Sequence, residues 1–237
     1  MLKDAFWLMR RQYFSSVLWP AVTFGIYAVY GAVAGILTSS WPFESDRSNH
    51  LLSDLLVISF MASSGFVFSK VYWSSYWKTN AFFSMLAALR ALPIPVETLA
   101  LSRNLQILLI SPVNTLFFFL GFWLAGDWLR SLEPGVQLTY VLFWFVFGNL
   151  LSCFFVLMEW GTSGKWYLLA TLAVIGVSWL VLIALLIATG RSLSDNLADL
   201  FPQAPGLWTV AFAAATAVAH TLTHRLLKTI LRRRDFA

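Results

Sequence analysis

The sequence predicts an all-α, polytopic membrane protein with six transmembrane helices. Of its 237 residues, 59% are hydrophobic and only 11% are charged, whereas soluble globular chains average about 45–50% apolar and about 25% charged residues. The mean hydropathy is +0.74. A soluble fold of this length cannot bury so much apolar surface, so the composition excludes an ordinary soluble enzyme and a disordered chain.

Six apolar stretches are long enough to cross a bilayer, which takes about 20 residues of helix. They are continuously apolar, whereas the strands of a membrane β-barrel alternate in polarity over about ten residues. The predicted spans are 17–37, 55–72, 105–125, 136–158, 167–189 and 207–226. The first stretch is too long for a cleavable signal, and we expect it to remain as an anchor.

Basic residues set the expected orientation. With the N-terminus inside, thirteen of the sixteen Lys and Arg residues fall in cytoplasmic segments, and only Arg47, Arg130 and Arg191 fall outside. The positive-inside rule therefore predicts that both termini are cytoplasmic. The net charge of +5 is then explained by topology, and no nucleic acid is expected as a partner.

Residues 1–16 are predicted to form an amphipathic helix on the cytoplasmic membrane surface, ahead of a six-span domain at 17–237. Leu2, Phe6 and Met9 recur at helical spacing, while basic residues occupy another face. The alternative is a basic flank that only sets the topology.

The cytoplasmic region 73–104 is far longer than an ordinary corner between two spans. Pro93 and Pro95 must end the incoming helix, because proline removes a backbone donor and clashes with the preceding turn. Pro95 suits the first turn of a new helix, which places Glu97 near its positive end. We therefore predict a short transverse helix over 95–101 that could dock a soluble partner; the alternative is a simple corner.

The run at 89–103 contains a Leu-Pro turn, a small apolar residue and then a basic residue ahead of the third span. It resembles the coupling-helix region of type-2 ATP-binding-cassette (ABC-2) transporter permeases. Six spans, cytoplasmic termini, an interfacial helix and the closing basic run at 232–236 resemble that family too. The docking residues that the resemblance implies are Arg90, Leu92, Pro93, Ile94, Pro95, Val96, Glu97, Leu101 and Arg103.

The resemblance implies a transport subunit of a prokaryotic plasma (inner) membrane rather than an enzyme. Two permease subunits, identical or not, would enclose a path through the lipid, and separate ATP-binding subunits holding ATP and magnesium would dock below. No cofactor or metal is expected in this chain. Short re-entrant helices are implied within 191–205. The substrate is expected to be hydrophobic or amphipathic, because the spans offer no charged site.

Motifs for an internal energy source are missing from the sequence. A phosphate-cradling loop needs G-x-x-x-x-G-K-[ST], and the pair Gly164-Lys165 has Glu159 and Trp166 at the flanking positions of that pattern. An ion-coupled carrier should bury charged groups in its spans, and none lies near mid-span. A separate ATPase is therefore the favoured driver, with an energy-independent carrier or a scaffold subunit as the alternative.

Four polar residues within the spans are expected to form hydrogen bonds between helices. They are Asn114, Asn149, Cys153 and His220. Gly31 and Gly35 form a Gly-x-x-x-Gly motif in the first span, which permits close helix approach either within one subunit or at a dimer seam. Pro112 is expected to kink the third span.

Two further patterns have catalytic alternatives. The segment 161–164 with His220 resembles the serine and histidine of rhomboid intramembrane proteases, and Ser163 would be the nucleophile of such a hydrolase. Ser163 precedes the fifth span rather than lying within a span, which disfavours this hypothesis. His220 and His224 stand one turn apart, but two ligands are too few for a zinc site.

Overall fold

The computed structural model describes residues 1–13, 17–39, 47–67, 86–89 and 92–233, and no strand occurs among them. The helices are α1 Leu2–Tyr13, α2 Leu18–Leu37, α3 Arg47–Met61, α4 Val96–Ala125, α5 Trp128–Ser131, α6 Pro134–Gly161, α7 Gly164–Thr189, α8 Leu193–Leu200 and α9 Pro205–Arg233, with a 3-10 turn at Phe201–Gln203.

Among the described residues, five helices are long and apolar enough to cross a membrane, namely α2, α4, α6, α7 and α9. Helix α3 is shorter, and its apolar part covers Asn49–Met61. The prediction of an all-α chain with several membrane-spanning helices is therefore confirmed. The second predicted span, and with it the count of six, remains a prediction, since its last part at 68–72 lies outside the described residues.

Helices α2 and α4 run in the same direction, and α3, α6 and α9 run opposite to them, which gives the bundle two distinct ends. We call residues 92–97, just before α4, the elbow, and we call the end that carries it the elbow end. There the start of α4 meets α1 and the last turns of α6 and α9 in an apolar cluster that includes Leu8, Leu99, Trp160 and Leu231. The opposite end is filled by a second, aromatic-rich cluster.

Helices α2 and α4 pack so closely that their backbones touch along a line we call the glycine seam. A Cβ atom at Gly31 would lie 1.9 Å from the carbonyl oxygen of Phe118, and one at Gly121 would lie 2.1 Å from that of Ala28. Gly35 has a similarly tight environment. The Gly-x-x-x-Gly motif is therefore used for packing within the subunit, which is the first of its two predicted uses.

Helix α3 differs from the predicted second span. It begins at Arg47, ahead of the predicted 55–72, and it ends within that stretch at Met61. Residues 62–67 continue as turns and irregular backbone. Their two serines and Gly65 are weak helix formers, and neighbouring side chains bind their backbone groups. The prediction of an uninterrupted helix here was wrong.

Helix α4 also corrects the prediction around the elbow. It runs without interruption from Val96 to Ala125, so a separate transverse helix at 95–101 and a third span beginning at 105 were both wrong. Pro95 precedes the first helical residue, as its missing N–H favours. The helix runs on past residue 105 because residues 96–105 contain no glycine or proline and because the charge of Arg103 is paired inside the bundle.

Helix α1 forms where it was predicted, although with a different buried face. Ala5, Leu8 and Met9 are buried, whereas Leu2 and Phe6 are exposed. The buried face packs on α4, so only Met9 of the predicted apolar stripe lies against protein. The position of the exposed face on a membrane surface remains a prediction.

Candidate functional site

Residues 62–67, which we call the break, interrupt an apolar segment in the interior of the bundle. Non-helical backbone at membrane depth is tolerated only where protein or water satisfies its polar groups. Asn114 of α4 supplies two such bonds, because its Nδ2 donates to the carbonyl oxygens of Ser64 and Phe66 at 2.6 and 3.0 Å. Asn114 is itself completely buried. One amide side chain thus replaces two hydrogen bonds that a helix would have made.

Gly65, at the centre of the break, is held from two sides. Its N–H donates to Oγ of Ser152 on α6 at 2.9 Å, and its carbonyl oxygen accepts a longer bond of 3.4 Å from Gln106 on α4. A Cβ at this position would lie 2.7 Å from Ser152 Cβ. A glycine is therefore needed for α6 to approach the break closely enough to bind it.

A chain of polar side chains leads from the break to the last helix. Oγ of Ser64 lies 3.0 Å from Oγ of Ser111, which accepts a 2.9 Å bond from Asn149. The Asn149 amide oxygen lies 3.0 Å from Nε2 of His220, and Nδ1 of that ring lies 2.6 Å from Oδ1 of Asn104. We call this the polar chain. It joins the break to α4, α6 and α9, which confirms the predicted interhelical role of Asn149 and His220.

An ion pair lies between the break and the elbow end. Arg103 of α4 and Glu159 of α6 form it, and their side chains are 1% and 0% exposed. The guanidinium of Arg103 also donates to Oε1 of Gln106 and lies 5.4 Å from the ring centroid of Phe66. A buried pair is tolerated only when both charges are also well hydrogen-bonded. Arg103 therefore links α4, α6 and the break in one contact set.

Eight of the nine residues predicted to dock a partner are described, and they fall into three groups by burial. Three are exposed, namely Leu92, Pro93 and Pro95. Four are half-buried, namely Ile94, Val96, Glu97 and Leu101. Arg103 is buried, and Arg90 lies outside the described residues. The exposed part of the predicted docking surface is thus limited to the first residues of the elbow.

The two charged anchors predicted on this surface behave differently. Arg103 as a docking anchor was wrong, because Glu159 neutralises its charge inside the bundle. Glu97 stays near the surface, where Arg232 of α9 donates to it at 2.6 Å and Lys228 lies 3.9 Å away. The sequence contained one indication that Arg103 faces the bundle. Gln106 follows it by one helical turn, so the two residues place a polar stripe on one face of the span.

At the end opposite the elbow, Asp54 of α3 caps the short helix α8. Its carboxylate accepts the backbone N–H groups of Leu193 and Ser194 at 2.8 and 3.2 Å. Oγ of Ser194 also lies 2.7 Å from the hydroxyl of Tyr140. These bonds tie α3, α6 and α8 together. The short helices implied within 191–205 are present as α8 and the 3-10 turn, and their re-entrant placement remains a prediction.

A second contact at that end carries charge. Nδ1 of His50 lies 3.3 Å from a carboxylate oxygen of Asp195. The hydrogen bond with His50 is the main cause that lowers the pKa of Asp195 below its ordinary value, and burial opposes the shift. The contact connects the start of α3 to helix α8, and it weakens when Asp195 becomes protonated.

The alternative chemistry assigned to Ser163 and His220 has no matching geometry. Ser163 caps the start of α7, while both ring nitrogens of His220 face Asn104 and Asn149. In the part of the chain that the structure describes, no three His, Cys, Asp or Glu side chains are grouped to hold a metal ion. The polar residues therefore form a connected structural network rather than a nucleophile with its base.

Comparisons of the chain with protein-family models, with curated proteins and with solved structures find no match. The candidate site is therefore defined by its own contacts: the break, the polar chain, the Arg103–Glu159 pair and the exposed elbow.

Proposed function

We propose that the protein is the membrane-spanning permease subunit of an ABC exporter, driven by ATP that a separate subunit hydrolyses. The observation that carries this proposal is the course of α4. This one helix begins at the exposed elbow and reaches the buried residues that hold the break, from Arg103 to Asn114. A partner that moved the elbow would act on the centre of the bundle without any intervening joint before Arg103.

The elbow has the properties of a small docking surface. Leu92 is 51% exposed, and Pro93 and Pro95 beside it are exposed as well. Ile94 and Val96 alternate with them and pack against the apolar cluster at the elbow end. An exposed leucine followed by Pro93 and Pro95 presents a rigid apolar projection, because proline restricts the backbone. Such a projection suits a hydrophobic cleft on a soluble partner.

The contacts of Glu97 extend the effect of such a partner to the last helix. Glu97 lies in the first turn of α4, and Arg232 and Lys228 of α9 both contact it. Movement of the elbow would therefore displace the end of α9 together with the start of α4. His220 of α9 and Asn104 of α4 are in turn joined through the polar chain. Both connections favour coupled movement of α4 and α9.

A second permease subunit belongs to the proposal. Most of α7 and α9 is exposed in the single chain: only 6% of the most apolar window of each helix is buried. Pairing with a second copy, or with a related chain, would supply the other wall. ATP and magnesium would be held by the ATPase subunits, and the substrate would be hydrophobic or amphipathic.

The proposal is tested by purifying the tagged protein from native membranes and identifying retained proteins by mass spectrometry. We expect an ATPase with a phosphate-binding G-x-x-x-x-G-K-[ST] loop to be retained. Leu92→Asp should reduce its recovery at least about tenfold, because a charge placed in an apolar cleft loses more than about 1.4 kcal/mol.

Trp166→Asp provides the matched control. Trp166 is 62% exposed at the start of α7, at the same end of the bundle but outside the elbow, so this variant should retain the ATPase. Two outcomes would refute the proposal: the unsubstituted protein retains no such ATPase, or Leu92→Asp retains as much of it as the control does.

A further inference from the structure

A groove of about 540 Å³ runs along the outside of the bundle between α4, α6 and α9. Its walls are almost entirely apolar, and they include Leu101, Leu105 and Leu108 of α4 together with Phe145 of α6 and Phe212 of α9. The groove is open on its lipid-facing side. It is separate from the elbow and from the break.

The length of the groove matches one leaflet of a bilayer. On α9 it extends from Thr209 to His220, which is about 16 Å of helix at 1.5 Å per residue. The hydrocarbon core of a bilayer is about 30 Å thick, so one leaflet is about 15 Å. His220 and Asn104 border the groove, but they bind each other. The lining therefore suits a hydrocarbon chain rather than a polar ligand.

Positive charge lies beyond the elbow end of the groove. The stripe of α9 that lines it continues through His224 and Lys228, which follow His220 at intervals of one turn. Lys228 and Arg232 face a single carboxylate, that of Glu97. Among the described residues the two cations and this carboxylate carry one net positive charge. Lys228 lies about 12 Å along the helix beyond His220, and its long side chain can reach back toward the end of the groove.

We propose that this groove binds one acyl chain of an acidic phospholipid from the leaflet at the elbow end, with the phosphate within reach of the Lys228 side chain. The chain supplies the apolar contact, and the basic pair supplies the preference for a negative headgroup. The site does not depend on the proposed transport function, since it requires only that α4, α6 and α9 lie in a bilayer.

The test uses the full chain in vesicles of phosphatidylcholine with a minor fraction of phosphatidylglycerol that carries a photoreactive acyl chain. After illumination, mass spectrometry maps the labelled residues. We expect labels on the groove-lining parts of α4 and α9. The same probe built on phosphatidylcholine should label the groove about fivefold less, which is the effect of one uncompensated charge near the lipid headgroup.

Two variants of α9 test whether the groove itself holds the chain. Ala213 lines the groove and Ala211 faces the other side, and both are exposed. Ala213→Trp fills the groove and should reduce labelling at least about tenfold, whereas Ala211→Trp should leave it unchanged. If Ala213→Trp fails to fold, Ala217→Phe serves the same purpose, since Ala217 also lines the groove.

Charge is tested separately. Lys228→Gln should remove the preference for phosphatidylglycerol while labelling of the groove persists, and Lys165→Gln, a loss of charge at the same end on α7, should preserve the preference. The proposal is overturned if Ala213→Trp and Ala211→Trp are labelled alike, if the two headgroups label the groove equally, or if cross-linking shows a second copy of the chain covering it.

Discussion

At the glycine seam, helices α2 and α4 touch through their backbones, whereas at the break polar side chains of α4 and α6 hold a backbone that has left the helix. At the seam, glycines without side chains let the two backbones come into direct contact. The break introduces Asn114, Gln106 and Ser152 to satisfy carbonyl and N–H groups. Both devices stabilise contact between helices in lipid, where the hydrophobic effect cannot drive helices together.

The two devices differ in what they allow to move. A backbone contact of the seam type has no alternative arrangement, because any separation loses van der Waals contact without replacement. A hydrogen bond at the break can be exchanged for another, since amides and hydroxyls have several possible partners. The α2–α4 pair therefore forms a fixed frame, and the side built from α3, α6 and α9 is where rearrangement would cost least.

The largest effect is expected from the buried ion pair on the polar side. Arg103→Met should lower the free energy of unfolding by about 4 kcal/mol, because the buried Glu159 carboxylate would lose the positive charge that it pairs with. The double variant Arg103→Met/Glu159→Leu should recover most of that loss. Denaturant unfolding in detergent, followed by tryptophan fluorescence, measures both. Equal losses in the single and double variants would contradict the pairing.

The seam is tested next by adding a side chain where none fits. Gly31→Leu should destabilise the protein by about 3 kcal/mol, since its Cβ would overlap the Phe118 carbonyl. Gly25→Leu on the same helix is the control, because a Cβ there meets nothing within 4 Å, and it should change stability by less than about 0.5 kcal/mol. The same unfolding measurement applies. Similar losses in both variants would show that the close backbone contact at Gly31 does not contribute to stability.

A smaller loss is expected at the break. Asn114→Leu should cost about 1–3 kcal/mol, because the carbonyls of Ser64 and Phe66 would lose their donor. Hydrogen exchange of the amides at 64–66 should become faster in the same variant. Thr171→Val is the control, since the Thr171 hydroxyl bonds only within its own helix. Unchanged exchange at 64–66 in Asn114→Leu would show that the break is held by other contacts.

The smallest effect concerns the end opposite the elbow. His50 lowers the pKa of Asp195 in the folded protein, so this carboxylate stabilises the fold above its ordinary pKa of about 3.9 and loses that contribution as the pH falls through its folded value. Asp195→Asn should cost about 0.5 kcal/mol at pH 7, since the pair is partly exposed.

Comparison of unfolding free energies at about pH 7 and about pH 3 measures that difference. The cost of Asp195→Asn should be smaller at the lower pH, and a cost that grows as the pH falls would contradict the assignment. Asp199→Asn, which removes a mostly exposed pair with Arg191, is the control and should show almost no effect at either pH.

Much of the fold followed from apolar length alone. The first, fourth and fifth predicted spans lie within about three residues of α2, α6 and α7 at each end, because a bilayer fixes the length of an apolar helix. The prediction of an uninterrupted helix in the second span was wrong for a related reason. A window that averages hydropathy passes over Ser63, Ser64 and Gly65, although those residues decide where α3 ends.

The candidate site could be predicted only in part. Asn149 and His220 were expected to bond between helices, since a polar group in lipid needs a partner. Which partner each one finds depends on how α4, α6 and α9 pack, and sequence spacing does not contain that information. Arg103 lies near a predicted span boundary, which favoured its interpretation as a surface anchor. Its buried partner Glu159 is distant in sequence, so sequence spacing does not indicate the pair.

Pro112 in α4 has a consequence for the strength of that helix. Proline cannot donate to the carbonyl of the preceding turn, so α4 is weakest there. Gln106 lies on one side of this weak point and Asn114 on the other, and both bind carbonyls of the short segment from Ser64 to Phe66. That segment therefore bridges the two parts of α4 on either side of Pro112. While both amides stay bound, the bridge restrains bending of α4 at the proline, and release of either amide would remove that restraint.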